Sequence, residues 1–355
     1  MAVPNRIVRA PALAELCQTA LRRAGLRLRD SALVADSLVA ANLRGIDSHG
    51  VARLPHYLRR LELGSLNPRP RMRFERLAPA CGVVEGDHGL GQLAMHRAAR
   101  EAIRLARATG AGWVTVRNSS HCGALDYFGL EIARAGMNGL VFTHVDSMVL
   151  PFGARKPFCG TNPLCIAVPA GRGRELCLDM ATSMVAWNVV ANAALAGERI
   201  PRGWAVDRAG HDTTDPRRAA ALYPVGTYKG SGLGLMIEVL CALLSGAPYG
   251  PDVPRMYEQL DQHRRLGGLV GAIDIRRFVP LREFQARVCE LLARWNALPP
   301  SKAGDRVLYP GQREALCAAR RSREGLPLPR ALIATLETWC RERGLETRLV
   351  DATSG

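Results

Sequence analysis

Lysine is nearly absent from this chain of 355 residues: 48 side chains are basic, but only Lys156, Lys229 and Lys302 are lysine, and the other 45 are arginine. The arginines run from Arg6 to Arg348 without a basic block, and neither a zinc-finger nor a helix-turn-helix pattern accompanies them. A formal net charge of +16 would otherwise point to nucleic acid or an anionic membrane surface. Spread this evenly, it reads as an arginine-biased coding background, and neither partner is expected. Aromatic residues make up only 5% of the chain, and none interleave with basic residues as a single-strand stacking platform would require.

Metal-like cysteine spacing is also missing. The ten cysteines include no CxxC pair and no Cys/His cluster, so no metal is expected. Cys165, Cys177 and Cys241 sit in apolar runs, where a thiol behaves as a small buried hydrophobe; reduced thiols fit the cytoplasm. The opening MAVPNRIVRAPALAEL has no continuous apolar core of the signal-peptide kind. The longest apolar stretch, residues 232–247, is too short to span a bilayer and carries Glu238, so a buried helix is expected there. Finally, no GxGxxG follows a strand. GSGLGL at 230–235 opens a helix, and GDHGLGQL at 86–93 has the wrong spacing, so a nucleotide site here needs another architecture.

What is present divides the chain in three. Residues 11–63 have helical periodicity, with Asp30 or Ser31 as a cap and a stop at Gly64. From about 74 to 280, β-rich runs (CGVVEGD, AGWVTVRN, NGLVFTHV, PLCIAVPA, ELCLDMAT) alternate with helical ones, which implies an α/β domain. Helical periodicity returns after Phe278. The expected division is a helical N-terminal region over residues 1–72, an α/β domain over 73–279 and a C-terminal helical region over 280–355 that returns to the N-terminal helices.

The densest polar cluster is GIDSHGVARLPHY, residues 45–57. Asp47 or Ser48 as an N-cap places His49 in a first helical turn, where the dipole favours a neutral imidazole suited to acid/base work. Arg53 and Tyr57, four and eight residues on, can share its face, although Pro55 implies a kink or a helix that begins just before it. An imidazole, a guanidinium fork and a phenol suit a 2-hydroxy or 2-oxo acid; they equally suit a capped surface helix. A second cluster surrounds His121, with Ser119, Ser120 and Gly123 exposing backbone N–H groups to an anion at a strand-to-helix junction. Asp179 ends an apolar run in LDMATSM, Lys229 sits in a Gly-rich turn before a helix, and LYPGQREA is a turn into a helix.

Taken in order, these segments resemble the type-2 malate/L-lactate dehydrogenases, NAD(P)-dependent oxidoreductases unrelated to Rossmann-type dehydrogenases. The resemblance runs from about residue 11 to 345 and rests on GIDSHGVARLPHYLRRLELG, VRNSSHCGALDYF, VLPFGARKPFCGTNPLCIAVPA, LCLDMATSM, YKGSGLGLMIEVLCALLSGAPYG and LYPGQREA. It implies a non-Rossmann mixed-sheet nucleotide-binding α/β domain, a helical domain built from both termini, and a homodimer. It makes His49 the proton donor/acceptor, with Ser48 and Asp179 as orienting partners, and His121 a second catalytic or substrate-contacting imidazole, either ring being able to move the proton; Arg53 and Tyr57 become ligands of the substrate carboxylate. Cofactor contacts, to NAD or NADP, are implied at Leu178, Asp179, Met180, Ala181, Thr182, Ser183 and Met184, at Tyr228 and Lys229, and at Pro310, Gly311 and Gln312. Ser120 and Gly123 join them as anion-binding backbone.

The implied reaction moves a hydride between the nicotinamide and C2 of a small 2-hydroxy or 2-oxo acid of malate, lactate or ureidoglycolate type. The alternatives are a cyclic imino-acid reductase of the same family and, in another class, a basic non-catalytic nucleic-acid-binding protein. Departures from the family pattern bear on the substrate: Val145 and Ser147 before PFG, Asp126 in place of a glycine, PGQ for PGE, and no basic residue of a GK turn between Ala181 and Gly203.

Overall fold

The structure, a computed structural model, describes residues 5–171, 174–302 and 304–346. Met1–Pro4 of the N-terminal stretch, Arg348 and the rest of the C-terminal tail lie outside them.

The chain opens with a short strand β1 (Arg6–Val8), then helices α1 (Ala10–Arg23), α2 (Leu28–Leu43) and α3 (Leu54–Glu62). In α1, Pro11 occupies the first turn, where its missing N–H costs nothing, and Leu13, Leu16, Cys17, Ala20 and Leu21 form one buried stripe. Helix α2 begins at Leu28 rather than at an Asp30 or Ser31 cap; Asp30 lies inside its first turn and complements the dipole there. Between α2 and α3 the chain makes two single 3₁₀ turns, Asp47–His49 and Val51–Arg53. His49 therefore does not sit in the first turn of an α-helix. The regular helix starts at Leu54 with Pro55 in its first turn, because proline is tolerated only where no intrahelical donor is needed.

The central region holds β2 (Arg73–Ala78), β3 (Cys81–Glu85), α4 (Gly91–Thr109), β4 (Ala111–Ser119), α5 (Asp126–Arg134), β5 (Met137–Thr143), β6 (Leu164–Pro169), β7 (Glu175–Met180) and α6 (Trp187–Ala196). Three two-residue strands follow, β8 (Ala205–Val206), β9 (Asp212–Thr213) and β10 (Ala221–Leu222), then α7 (Tyr228–Glu238) and β11 (Leu266–Asp274). Seven strands make one mixed sheet in the order β2-β3-β4-β11-β5-β6-β7. Only β3 and β4 run parallel, joined through α4; the other neighbours are antiparallel. A Rossmann sheet is mostly parallel, so the missing GxGxxG has a structural counterpart.

Strand β11 lies at the sheet centre and went unread in the sequence. Its run, LGGLVGAID, carries three glycines, and close packing demands at least two of them: a Cβ at Gly267 would stand 2.1 Å from the Cys241 carbonyl oxygen, and one at Gly271 would stand 2.4 Å from the Trp113 ring. Helices α4 and α5 cover one face of the sheet with Ala98, Ala102, Phe128 and Ile132. The segment Ile237–Cys241 covers part of the other, against Leu164 and Leu269.

That last segment corrects the expectation of a buried helix at 232–247. Ile237, Glu238 and Cys241 are buried, but Leu233, Met236, Val239, Leu243 and Leu244 are exposed, Leu244 at 60%. Spaced every three or four residues, they form an apolar face open to its surroundings.

The C-terminal region comprises α8 (Leu281–Asn296), α9 (Gln312–Glu324), β12 (Leu326–Leu328) and α10 (Arg330–Arg341). Strand β12 pairs antiparallel with β1, and Ile333, Leu336 and Cys340 of α10 share one core with α1, α2 and α3. Helix α8 differs from the expected return to the N-terminal helices: Val288 and Leu292 pack on Ala170 at the end of β6, because its apolar stripe matches Val168 and Leu176 at the sheet margin.

Candidate active site

A cleft of about 700 Å³ opens between the N-terminal turns, the end of β7 and the loop before α9, a size typical of small-molecule sites. The 3₁₀ turns hold Ser48, His49 and Arg53 on its wall, and the loop after β4 brings His121 opposite them. The imidazoles of His49 and His121 stack with centroids 5.6 Å apart and planes within 20°. Ser48 Oγ lies 2.9 Å from His49 Nδ1.

Hydrogen bonds decide how His121 is protonated. Gln92 Nε2 donates to the Tyr57 hydroxyl (3.1 Å), which leaves the phenolic proton to donate to His121 Nδ1 (2.6 Å); the Gly123 N–H approaches the same nitrogen at 3.4 Å. With Nδ1 accepting, a neutral ring carries its proton on Nε2 and serves as a hydrogen-bond donor. Burial above all, with the neighbouring His49 ring and the Arg53 charge adding to it, holds His121 well below the usual imidazole range. Burial, seconded by Arg53, lowers His49 to about 4. Both rings are thus neutral at physiological pH, and the cause is desolvation and a neighbouring guanidinium rather than a helix dipole.

Tyr57 has a place different from the one expected. It is 1% exposed and lies behind His121 as its hydrogen-bond partner, not in the cleft as a carboxylate ligand. Arg53 does face the cleft: its Nε donates to the Ser48 carbonyl (2.7 Å) and its Nη1 to the Tyr257 hydroxyl (2.7 Å). No carboxylate pairs with it among the described residues.

Tyr257 belongs to a loop that α3 holds in place. Arg60, 1% exposed, spends its guanidinium on the loop's carbonyls, among them Met256 (3.0 Å), Gln259 (3.2 Å) and Gln262 (3.0 Å), while its Nε donates to His56. Burial and Arg264 lower Arg60 to about 10, so it stays cationic. Replacing Arg60 with methionine strands these carbonyls. The expected loss is about 3–4 kcal/mol of stability, measured by chemical denaturation, with a raised KM as Tyr257 leaves Arg53. Unchanged stability would mean that water takes over the carbonyls.

The other half of the cleft lies along β7 and the turn before α9. Leu178, Asp179, Met180, Ala181, Pro310 and Gly311 line it, together with Gly123. Gly311, at φ +86°, packs so tightly on β7 that a Cβ would stand 2.8 Å from the Cys177 carbonyl oxygen. Asp179 orients neither imidazole: its Oδ2 accepts the backbone N–H of Asp126 (2.8 Å). Burial and the Asp126 charge raise Asp179 to about 7. Asp126, the residue standing where a glycine was expected, is 2% exposed and forms an ion pair with Arg44 (2.5 Å).

Several expected cofactor contacts lie elsewhere. Ser120 and Ser183 are buried away from the cleft, Thr182 is spent on the Thr161 carbonyl, and Met184 does not line the cleft. Tyr228, 61% exposed, stands edge-on to Phe152, and Lys229 follows it at the start of α7, outside the cleft wall. Gln312 caps the Tyr309 N–H and borders a smaller cavity of about 360 Å³. Conversely, sequence reasoning missed Arg44, Asp146, Trp187, Asn188 and Tyr257, all on the cleft wall. Tyr257 lies 204 positions from the arginine it touches, and no local pattern marks such a pair.

Two neutral imidazoles beside a guanidinium with no carboxylate partner among the described residues, in a cleft with largely apolar walls, make a site on a mixed α/β fold that can hold a carboxylate and move a proton beside it. The chain belongs to the malate/L-lactate dehydrogenase family, whose model matches residues 8–337. It is 36% identical over 316 residues to ureidoglycolate dehydrogenase (NAD(+)) of Escherichia coli strain K12, covering 89% of this chain and 90% of that one. Sulfolactate dehydrogenase from Methanocaldococcus jannaschii superimposes with a TM-score of 0.89 at 34% identity, over 96% of this chain and 98% of the other. Delta1-piperideine-2-carboxylate reductase from Pseudomonas syringae pvar. tomato superimposes with a TM-score of 0.85 at 29% identity, over 94% and 99%. The expected fold class agrees with these neighbours.

Proposed function

We propose that this enzyme interconverts a small 2-hydroxy acid and its 2-oxo acid with NAD or NADP as the redox partner. The observation that carries the reading is the stacked, neutral His49–His121 pair next to Arg53, whose guanidinium has no carboxylate partner among the described residues. The walls suit a nicotinamide dinucleotide: Leu178, Met180 and Pro310 give apolar lining to the same cleft that holds the imidazoles. Leu178–Ala181, Pro310 and Gly311 would hold it, and when bound it accepts or supplies the hydride at C2. Arg53 fixes the substrate carboxylate so that C2 is presented in one orientation. His121 donates a hydrogen bond from Nε2 to the oxygen on C2. His49, steadied by Ser48, takes the hydroxyl proton during oxidation and returns it during reduction. Per turnover, the substrate loses one hydride from C2 and one proton from its hydroxyl.

The test is a panel of 2-hydroxy acids with NAD⁺ and NADP⁺, and of 2-oxo acids and cyclic imines with the reduced cofactors, followed at the nicotinamide absorbance band. Oxidation of 2-hydroxy acids is expected. Turnover of cyclic imines alone would assign the enzyme to C=N reduction, the reaction named for the Pseudomonas neighbour.

The open apolar face on Leu233, Met236, Val239, Leu243 and Leu244 supports a homodimer, and light scattering on the purified enzyme reads its mass directly. No disulfide links cysteines among the described residues, which accords with a reducing, cytoplasmic setting. No described helix is long and apolar enough to cross a membrane.

A further inference from the structure

Asp146 lies between β5 and β6, is 5% exposed, and lines the same cleft as His49, Arg53 and His121. Its Oδ1 is 2.6 Å from Arg264 Nη2, and its Oδ2 accepts the N–H of Met256 (3.2 Å). Arg264 itself is 2% exposed and does not reach the cleft wall. Its Nε and Nη1 have no hydrogen-bond partner among the described residues. Asp146 is therefore the anion on which this buried guanidinium depends, and a buried ion stripped of its partner is strongly disfavoured.

Three guanidiniums line the cleft: Arg44 is half-buried in a pair with Asp126 (2.5 Å), Arg313 is 83% exposed at the solvent edge beside Glu314 (2.8 Å), and Arg53 bonds only a carbonyl and a hydroxyl. Beside the imidazoles the cleft thus offers one cation without a carboxylate partner, Arg53, which the C1 carboxylate of the substrate takes. A second anionic group there would find no further cation beside Arg53 without a carboxylate of its own, and would face Asp146. A neutral group with N–H or O–H donors would instead find carboxylate lone pairs that Arg264 and Met256 leave unused.

We propose that Asp146 selects the substrate by the group beyond C2: a neutral substituent bearing N–H or O–H donors, such as a ureido, amide or hydroxyl group, is preferred, and a second carboxylate or a sulfonate is discriminated against. This rests on the hydroxy-acid reaction proposed above. Arg264 acts through Asp146, as its positioning residue.

The experiment compares kcat/KM for ureidoglycolate and glycerate with that for malate, in the wild-type enzyme and in Asp146→Asn. The wild type is expected to favour the neutral-substituted acids at least about tenfold. Asp146→Asn removes the repelling charge and exposes the field of Arg264, so the ratio should move toward malate by roughly tenfold or more. Since the ratio for one preparation cancels loss of folded enzyme, a poorly folding variant still gives a reading. The double variant Asp146→Asn/Arg264→Gln, which buries no unpaired ion, is expected to shift the ratio in the same direction but less. A wild type that prefers malate, or a ratio that neither variant moves, overturns this inference alone. If the wild type turns over other 2-hydroxy acids of the panel but neither ureidoglycolate nor glycerate, this inference alone falls; if it turns over no 2-hydroxy acid, the proposed reaction falls and this inference with it.

Discussion

Replacing His49 with asparagine is expected to lower kcat for 2-hydroxy-acid oxidation by roughly 10²- to 10⁴-fold, the usual contribution of a positioned general base. The fold should survive, since His49 is half-buried on a 3₁₀ turn and belongs to no core cluster. The pH profile distinguishes a lost base from a merely disturbed site. Burial and Arg53 hold His49 near 4, so the imidazole must be unprotonated to accept the hydroxyl proton. Oxidation in the wild type should accordingly be level above about pH 5 and fall as acid protonates the ring, whereas reduction, which draws a proton from it, should gain over the same interval. In His49→Asn the acid limb should vanish along with most of the rate. His121→Ala should also be slow, because the oxygen on C2 loses its donor, but it should keep the limb. The reverse pattern, with the limb lost only in His121→Ala, would falsify this assignment of roles and make the Tyr57-linked ring the base.

How much of this is legible in the sequence varies with the range of the interaction. Helices α1 and α4 follow a 3.6-residue apolar rhythm over 14 and 19 residues and are plain in the sequence. Strand β11 is not, since its glycines answer contacts with Cys241 and Trp113 that only the folded chain creates. The site divides in the same way. Ser48, His49 and Arg53 lie within six residues of each other, and their chemistry shows in the string itself. Tyr57 is in the same string, yet its role differs from the expected one, because an eight-residue offset across two 3₁₀ turns does not preserve one helical face. Asp146, Arg264 and Tyr257 carry no local signal, for each takes its meaning from a partner more than 100 positions away. Asp126 stands out only as a residue replacing an expected glycine. Folded, it pairs with Arg44, and its charge helps to raise Asp179.

Arg53→Met keeps the length of the stem and removes the fork, and kcat/KM for carboxylated substrates should fall by about 10² to 10³. That corresponds to about 3–4 kcal/mol at 1.4 kcal/mol per decade, within the range for losing one side of a desolvated, hydrogen-bonded charge pair. Arg53→Lys should recover only part of the loss: a single ammonium cannot hold the Ser48 carbonyl, the Tyr257 hydroxyl and a carboxylate with the geometry of a planar fork. Two further readouts separate carboxylate binding from general damage. A substrate analogue with an amide in place of C1 carboxylate should be turned over at nearly the same low rate by wild type and Arg53→Met, since no anion is left for the fork to hold. The acid limb should also move. Arg53 is the charge that depresses His49, second to burial; removing a cation favours the imidazolium, so the midpoint should rise above 4. It should still stop short of the ordinary imidazole value, because desolvation, the larger cause, remains. A midpoint that does not move would mean that the guanidinium is screened from the ring, and Arg53 would then keep its role in binding but lose its role in setting the basicity of His49.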